Sequence, residues 1–99
     1  DNVLFMWNAR ADNLLVEEGR VVGIETLDLR GETTTRNAAD TVVLATGGFQ
    51  NNLQMVREFW PSEFRFPERI LVGSGRNSVG HGHKLAQGVG AELVKMDHQ

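Results

Sequence analysis

Cysteine is absent from the 99 residues, which excludes disulfides and thiolate chemistry within them. There is no apolar run of about 18 residues, so no segment is expected to span a membrane. There is no basic run, and the net charge is −3, which argues against nucleic acid as a partner. The dinucleotide fingerprint Gly-x-Gly-x-x-Gly is missing. Gly73-Ser74-Gly75 and Gly80-His81-Gly82 each lack the third glycine at the required offset. No Ser/His/Asp or Cys/His set can be assembled, and no carboxylate pair has acid/base spacing. A catalyst built on these residues would leave the hard chemistry to a cofactor. No metal is expected either. His81 and His83 stand at i and i+2, which do not share a helix face, and with His98 they have no Cys or carboxylate pair to complete a ligand set.

What is present is ordinary for a globular protein: 40% apolar and 23% charged residues. The length suggests one domain, burying roughly 60–70% of its unfolded surface. The sequence starts at Asp1, which is not an initiator, and turns apolar at once. No charged segment or cleavage site precedes that run, so it is not expected to be a signal peptide. The end at Met96-Asp97-His98-Gln99 is equally abrupt. These ends read as those of an internal piece of a longer protein, whose compartment the sequence does not identify.

Taken in order, residues 1–40 read as an antiparallel meander. The expected strands are Val3 to Arg10, then Leu14 to Glu17 as a second strand or a continuation, then Val21 to Leu29 and Thr33 to Ala38. Glu18-Gly19-Arg20 and Arg30-Gly31-Glu32 are the turns between them. Residues 41–60 read as strand, Gly-Gly turn and helix. Val42 to Ala45 is apolar without alternation, as in a parallel-type strand buried on both faces. Asn51 or Asn52 suits an N-cap. Leu53, Val56 and Trp60 share a helical face, widened by Met55 and Phe59, and Pro61 stops the helix. Residues 61–99 read as an irregular loop over Ser62 to Glu68, a short apolar run over Ile70 to Val72 and a glycine-rich loop to Gly82. A short helix to Gly88 follows, with Leu85, Ala86 and Val89 on its apolar side, then a last strand from Ala91 to Val94. The fold class is α/β, as an α+β fragment.

Two glycine motifs carry chemistry. In Ala45-Thr46-Gly47-Gly48, backbone N–H groups and a hydroxyl face a ligand at the mouth of a sheet, or the stretch is a plain strand-to-helix turn. Gly80-His81-Gly82 opens a helix whose first free N–H groups favour an anion or an electron-rich atom, or it is only a tight turn. His81 lies inside that turn, whereas His83 reads as a solvated helix residue. Arg65, Arg69 and Arg76 are candidate anion contacts, though a lone surface arginine has no required partner.

The run Val42-Val43-Leu44-Ala45-Thr46-Gly47-Gly48-Phe49 with Asn51 or Asn52 is followed by Asn77-Ser78-Val79-Gly80-His81-Gly82-His83-Lys84-Leu85-Ala86 and by Gly90-Ala91-Glu92-Leu93. In this order and spacing the blocks resemble the fumarate reductase/succinate dehydrogenase flavoprotein family. Asn8-Ala9-Arg10-Ala11 and Glu18-Gly19-Arg20-Val21-Val22-Gly23 look like that family's meander. The resemblance implies the middle of a Rossmann-like FAD-binding domain. It implies that Ala45, Thr46, Gly47 and Gly48 line the FAD near its ribose and pyrophosphate, that Ala11 offers backbone groups to the adenine, and that Gly80, His81 and Gly82 approach the flavin end. His81 stands where the family often carries Asp. The whole enzyme would pass a hydride between flavin N5 and a C–C bond next to a carbonyl or carboxylate. Its partners would be the rest of the FAD-binding domain, a substrate cap domain and a small-molecule substrate, and the isolated chain would be prone to self-association. The other reading is a non-catalytic α+β binding module, in which this chain itself must cover both faces of Val42–Ala45.

Overall fold

The computed structural model describes residues 2–98. Asp1 and Gln99, the two abrupt ends of the sequence reading, lie outside the described residues. The chain divides into two compact units, Asp1–Val43 and Leu44–Gln99.

The first unit is a three-stranded antiparallel sheet: β1 (Ala9–Glu17), β2 (Arg20–Asp28) and β3 (Thr34–Ala38), in the order β1-β2-β3. Glu18 and Gly19 turn the first hairpin with φ of 49° and 75°. Two successive positive φ values match the right-handed twist of the flanking strands. The register runs from Glu17 opposite Arg20 to Ala9 opposite Asp28, with shifts between Ala11 and Asn13 and between Leu15 and Val16. The second turn is tied by Asp28, whose N–H donates to the Thr33 carbonyl (2.8 Å) and whose carboxylate accepts from the Arg30 N–H (2.8 Å). β3 pairs with β2 from Gly23 opposite Ala38 to Leu27 opposite Thr34, and a β-carbon on Gly23 would run into the Asn37 carbonyl oxygen. Glu25, on the middle strand, links both neighbours. It accepts from Asn13 Nδ2 (2.8 Å) and from Arg36 Nε (2.8 Å).

The first expected strand is displaced. Val3 to Trp7 is not strand and is exposed, while β1 begins at Ala9 and runs unbroken to Glu17. Asp12 and Asn13 break the apolar pattern but not the strand, because the register shift between Ala11 and Asn13 absorbs the irregularity.

The second unit holds two helices, α1 (Leu53–Glu58) and α2 (His81–Gly88), and its described residues form no strand. Asn52 caps α1, its side-chain oxygen accepting from the Met55 N–H at 3.1 Å. The helix ends at Phe59, before Trp60 and Pro61. Its buried pair is Met55 and Val56, whereas Leu53 is exposed. Phe49 joins that pair in the core, and Phe59, Trp60, Phe66, Ile70, Leu93 and Met96 pack around it. The loop before Ile70 is pinned by Trp60, which donates to the Phe64 carbonyl (3.1 Å) and meets the Phe66 ring edge-on, while the Arg57 guanidinium lies 4.1 Å from the Phe66 ring centre.

Two further strands of the sequence reading do not form. Val42 to Ala45 has no strand partner, and Val43 and Leu44 are exposed. Ala91 to Val94 is likewise irregular. An extended segment becomes strand only when a neighbouring strand takes up its backbone N–H and C=O groups, and among the described residues neither segment has a strand beside it. Neither helix is long and apolar enough to cross a membrane.

Candidate functional site

Gly80 caps α2 in the left-handed region, with φ of 77°. A side chain there would meet two obstacles. The backbone conformation disfavours a β-carbon, and such a carbon would run into Met55 Sδ and lie 3.0 Å from Phe49 Cβ. The glycine therefore lets the start of α2 settle against the core made by Phe49 and α1.

Hydrogen bonds fix that approach. The Gly80 N–H donates to the Gly48 carbonyl (3.1 Å), and the Asn51 N–H donates to the Ser78 carbonyl (2.9 Å). Asn52 serves two segments at once. Its oxygen caps α1, and its Nδ2 donates to the Val79 carbonyl at 3.1 Å. Asn51 Nδ2 donates to the Gly75 carbonyl at 2.6 Å. The two asparagines after the first glycine motif thus hold the loop that leads into the second.

The motifs then meet side by side. Thr46 lies against Gly82 so closely that a β-carbon on Gly82 would run into Thr46 Oγ1 and come within 3.1 Å of Thr46 Cβ. Beside this contact is an open cleft of about 260 Å³, lined by Ala45, Thr46, Gly47, Gly82, His83 and Ala86 among others. Most of its walls are small side chains, which bring backbone close to whatever enters. Gly47 has φ of 79° and only Ser78 Oγ near its missing β-carbon. The cleft is smaller than the roughly 300–1,000 Å³ that encloses a drug-sized ligand. A molecule of that size would lie only partly within it.

The predicted site residues separate into groups. Ala45, Thr46, Gly47 and Gly82 line the cleft, and Gly48 and Gly80 form the backbone joint beneath it. His81 is half-buried at the first position of α2 and does not line the cleft. Ala11 belongs to the first unit, on β1 opposite Thr26. Arg65, Arg69 and Arg76 are exposed.

His83 corrects the sequence reading. It is half-buried rather than solvated, its ring meets Phe49 edge-on at 5.5 Å, and its Nδ1 is enclosed without a hydrogen-bond partner. The signal was present in the spacing. Gly82 and His83 precede Ala86 by four and three residues, so all three fall on one helix face.

The family described as FAD binding domain matches residues 1–99. The chain is 34% identical over 89 residues to an NADH:acrylate oxidoreductase of Vibrio harveyi, covering 90% of this chain and 9% of that protein. It is 32% identical over 92 residues to a urocanate reductase of Eggerthella lenta, covering 92% and 15%. A KsdD-like steroid dehydrogenase of Mycolicibacterium smegmatis is 29% identical over 109 residues, covering 96% and 20%. The chain thus spans at most a fifth of the length of these relatives.

Proposed function

The chain belongs to the family of FAD-binding domains, and from that premise we propose that it is the part of a flavin-dependent oxidoreductase that grips one stretch of the FAD. The observation that carries this reading is the convergence of two glycine motifs more than thirty residues apart on one cleft, with Thr46 seated on Gly82. The residues fit a portion of the cofactor. Ala45, Gly47, Gly82 and Ala86 present little side-chain bulk.

In this reading Ala45, Thr46, Gly47 and Gly48 approach the ribose and pyrophosphate, and Gly80, His81 and Gly82 approach the flavin end. Ala11 would offer backbone groups to the adenine. The helix start favours negative charge placed on it. When bound, FAD supplies hydride chemistry at its N5 position. The partner in that chemistry would be a C–C bond next to a carbonyl or carboxylate. This chain contributes no acid or base to that step. Its residues bind and orient, and a substrate cap domain and the rest of the FAD-binding domain complete the enzyme.

The test is reduction of candidate substrates by the full-length protein. The reduced, anaerobic flavoprotein is mixed with acrylate, urocanate, fumarate and unsaturated ketosteroids in turn, and return of the oxidised flavin spectrum is followed. Reoxidation by one class supports the reading and names the substrate. A flavoprotein that none of them reoxidises, but that oxygen does, would contradict the C–C bond assignment.

A further inference from the structure

His83 has one enclosed ring nitrogen. Its Nδ1 is enclosed and has no hydrogen-bond partner, while the residue as a whole is half-buried and lines the cleft. A neutral imidazole carries one N–H and one bare nitrogen. A buried N–H without an acceptor is rare in folded proteins and costs the desolvation of the group. The bare nitrogen is therefore the enclosed one, and the proton sits on Nε2. The Phe49 ring, edge-on at 5.5 Å, fixes the plane in which that N–H points.

We propose that His83 is a binding residue of the cleft, donating a hydrogen bond from Nε2 to an oxygen of the bound dinucleotide. The inference rests on the FAD reading above and adds to it a side-chain donor, where the glycine motifs supply mainly backbone. Of the cleft-lining residues Ala45, Thr46, Gly47, Gly82, His83 and Ala86, only Thr46 and His83 carry a polar side-chain group, and His83 alone carries a ring N–H. An oxygen acceptor matches it, whether ribose hydroxyl or phosphate.

The experiment uses the full-length protein, stripped of flavin and titrated with FAD. His83→Phe keeps a ring against Phe49 and removes the N–H. His83→Gln places an amide N–H near the Nε2 position. Loss of one neutral hydrogen bond predicts affinity weaker by about three- to tenfold in His83→Phe, with most of it recovered in His83→Gln. Equal affinity of wild type and His83→Phe would overturn the inference while leaving the cofactor reading intact. A wild-type protein that takes up no FAD would remove both. A second readout needs no variant to fold. In nitrogen-15 spectra of histidine-labelled wild type, a protonated Nε2 whose resonance moves on FAD addition supports the role. A protonated Nδ1, or an Nε2 resonance that FAD leaves in place, contradicts it.

Discussion

Thr46 and Gly82 constrain each other, because the space beside one is filled by the other. Gly82→Ala should therefore destabilise the full-length protein by about 1–3 kcal/mol, the usual cost of overpacking. Thr46→Ala should relieve part of that, since it removes the Oγ1 that the new β-carbon would strike. A double-mutant cycle by urea denaturation is expected to give a coupling between the two sites of at least about 0.5 kcal/mol, and strictly additive losses would contradict the contact. Gly80→Ala differs in kind. Its φ of 77° alone costs about 1–2 kcal/mol in any residue with a β-carbon, so no second substitution at Met55 should restore it fully. At this scale the sequence misjudges His83, which reads as solvated and is half-buried. A glycine pair after an apolar run announces a close backbone approach. A histidine's burial depends on what packs against it, and Phe49, which does so here, lies 34 residues away.

Among the elements, the hairpin was legible and the isolated strands were not. Glu18-Gly19 advertises its turn through the glycine, and β2 through its β-branched residues. The apolar run Val42 to Ala45 predicts a strand buried on both faces, which is a statement about neighbours, and no described strand pairs with it. The helix after it was legible for a local reason. Asn52 caps it whatever lies elsewhere in the chain, and Asn52→Ala should lower stability by about 0.5–2 kcal/mol in thermal or urea melts. Its Nδ2 bond to the Val79 carbonyl would be lost in the same change. The sheet carries a pH signature at Glu25. The hydrogen bond from Asn13 first, and then that from Arg36, hold its carboxyl below the usual carboxylate range. A carboxyl made more acidic by folding stabilises the fold at neutral pH. It loses that contribution as the pH falls from the unfolded carboxyl's range through the folded one's. Thermal melts from pH 7 down to pH 3 should show a shallower acid decline in Glu25→Gln than in wild type. A parallel decline would place the acid sensitivity elsewhere.

For the whole molecule, the exposed apolar side chains decide what the 99 residues do alone. Leu4, Trp7, Val43 and Leu71 are 86%, 80%, 81% and 100% exposed. Large apolar side chains this exposed favour association where they lie together, and the chain spans at most a fifth of its relatives' length. Made by itself, the chain should self-associate in sedimentation or light scattering and hold FAD weakly, since the Gly-x-Gly-x-x-Gly turn that grips a pyrophosphate is missing from it. A sharp, monomeric two-state melt would contradict that expectation. The central claim is that the cleft between the two glycine motifs touches the cofactor. Its most direct test is hydrogen–deuterium exchange of the full-length protein with and without FAD. The account predicts that FAD slows exchange in the segments holding Thr46 to Gly48 and Gly80 to Ala86. Slowed exchange elsewhere in the protein, with both of these segments unchanged, would contradict it.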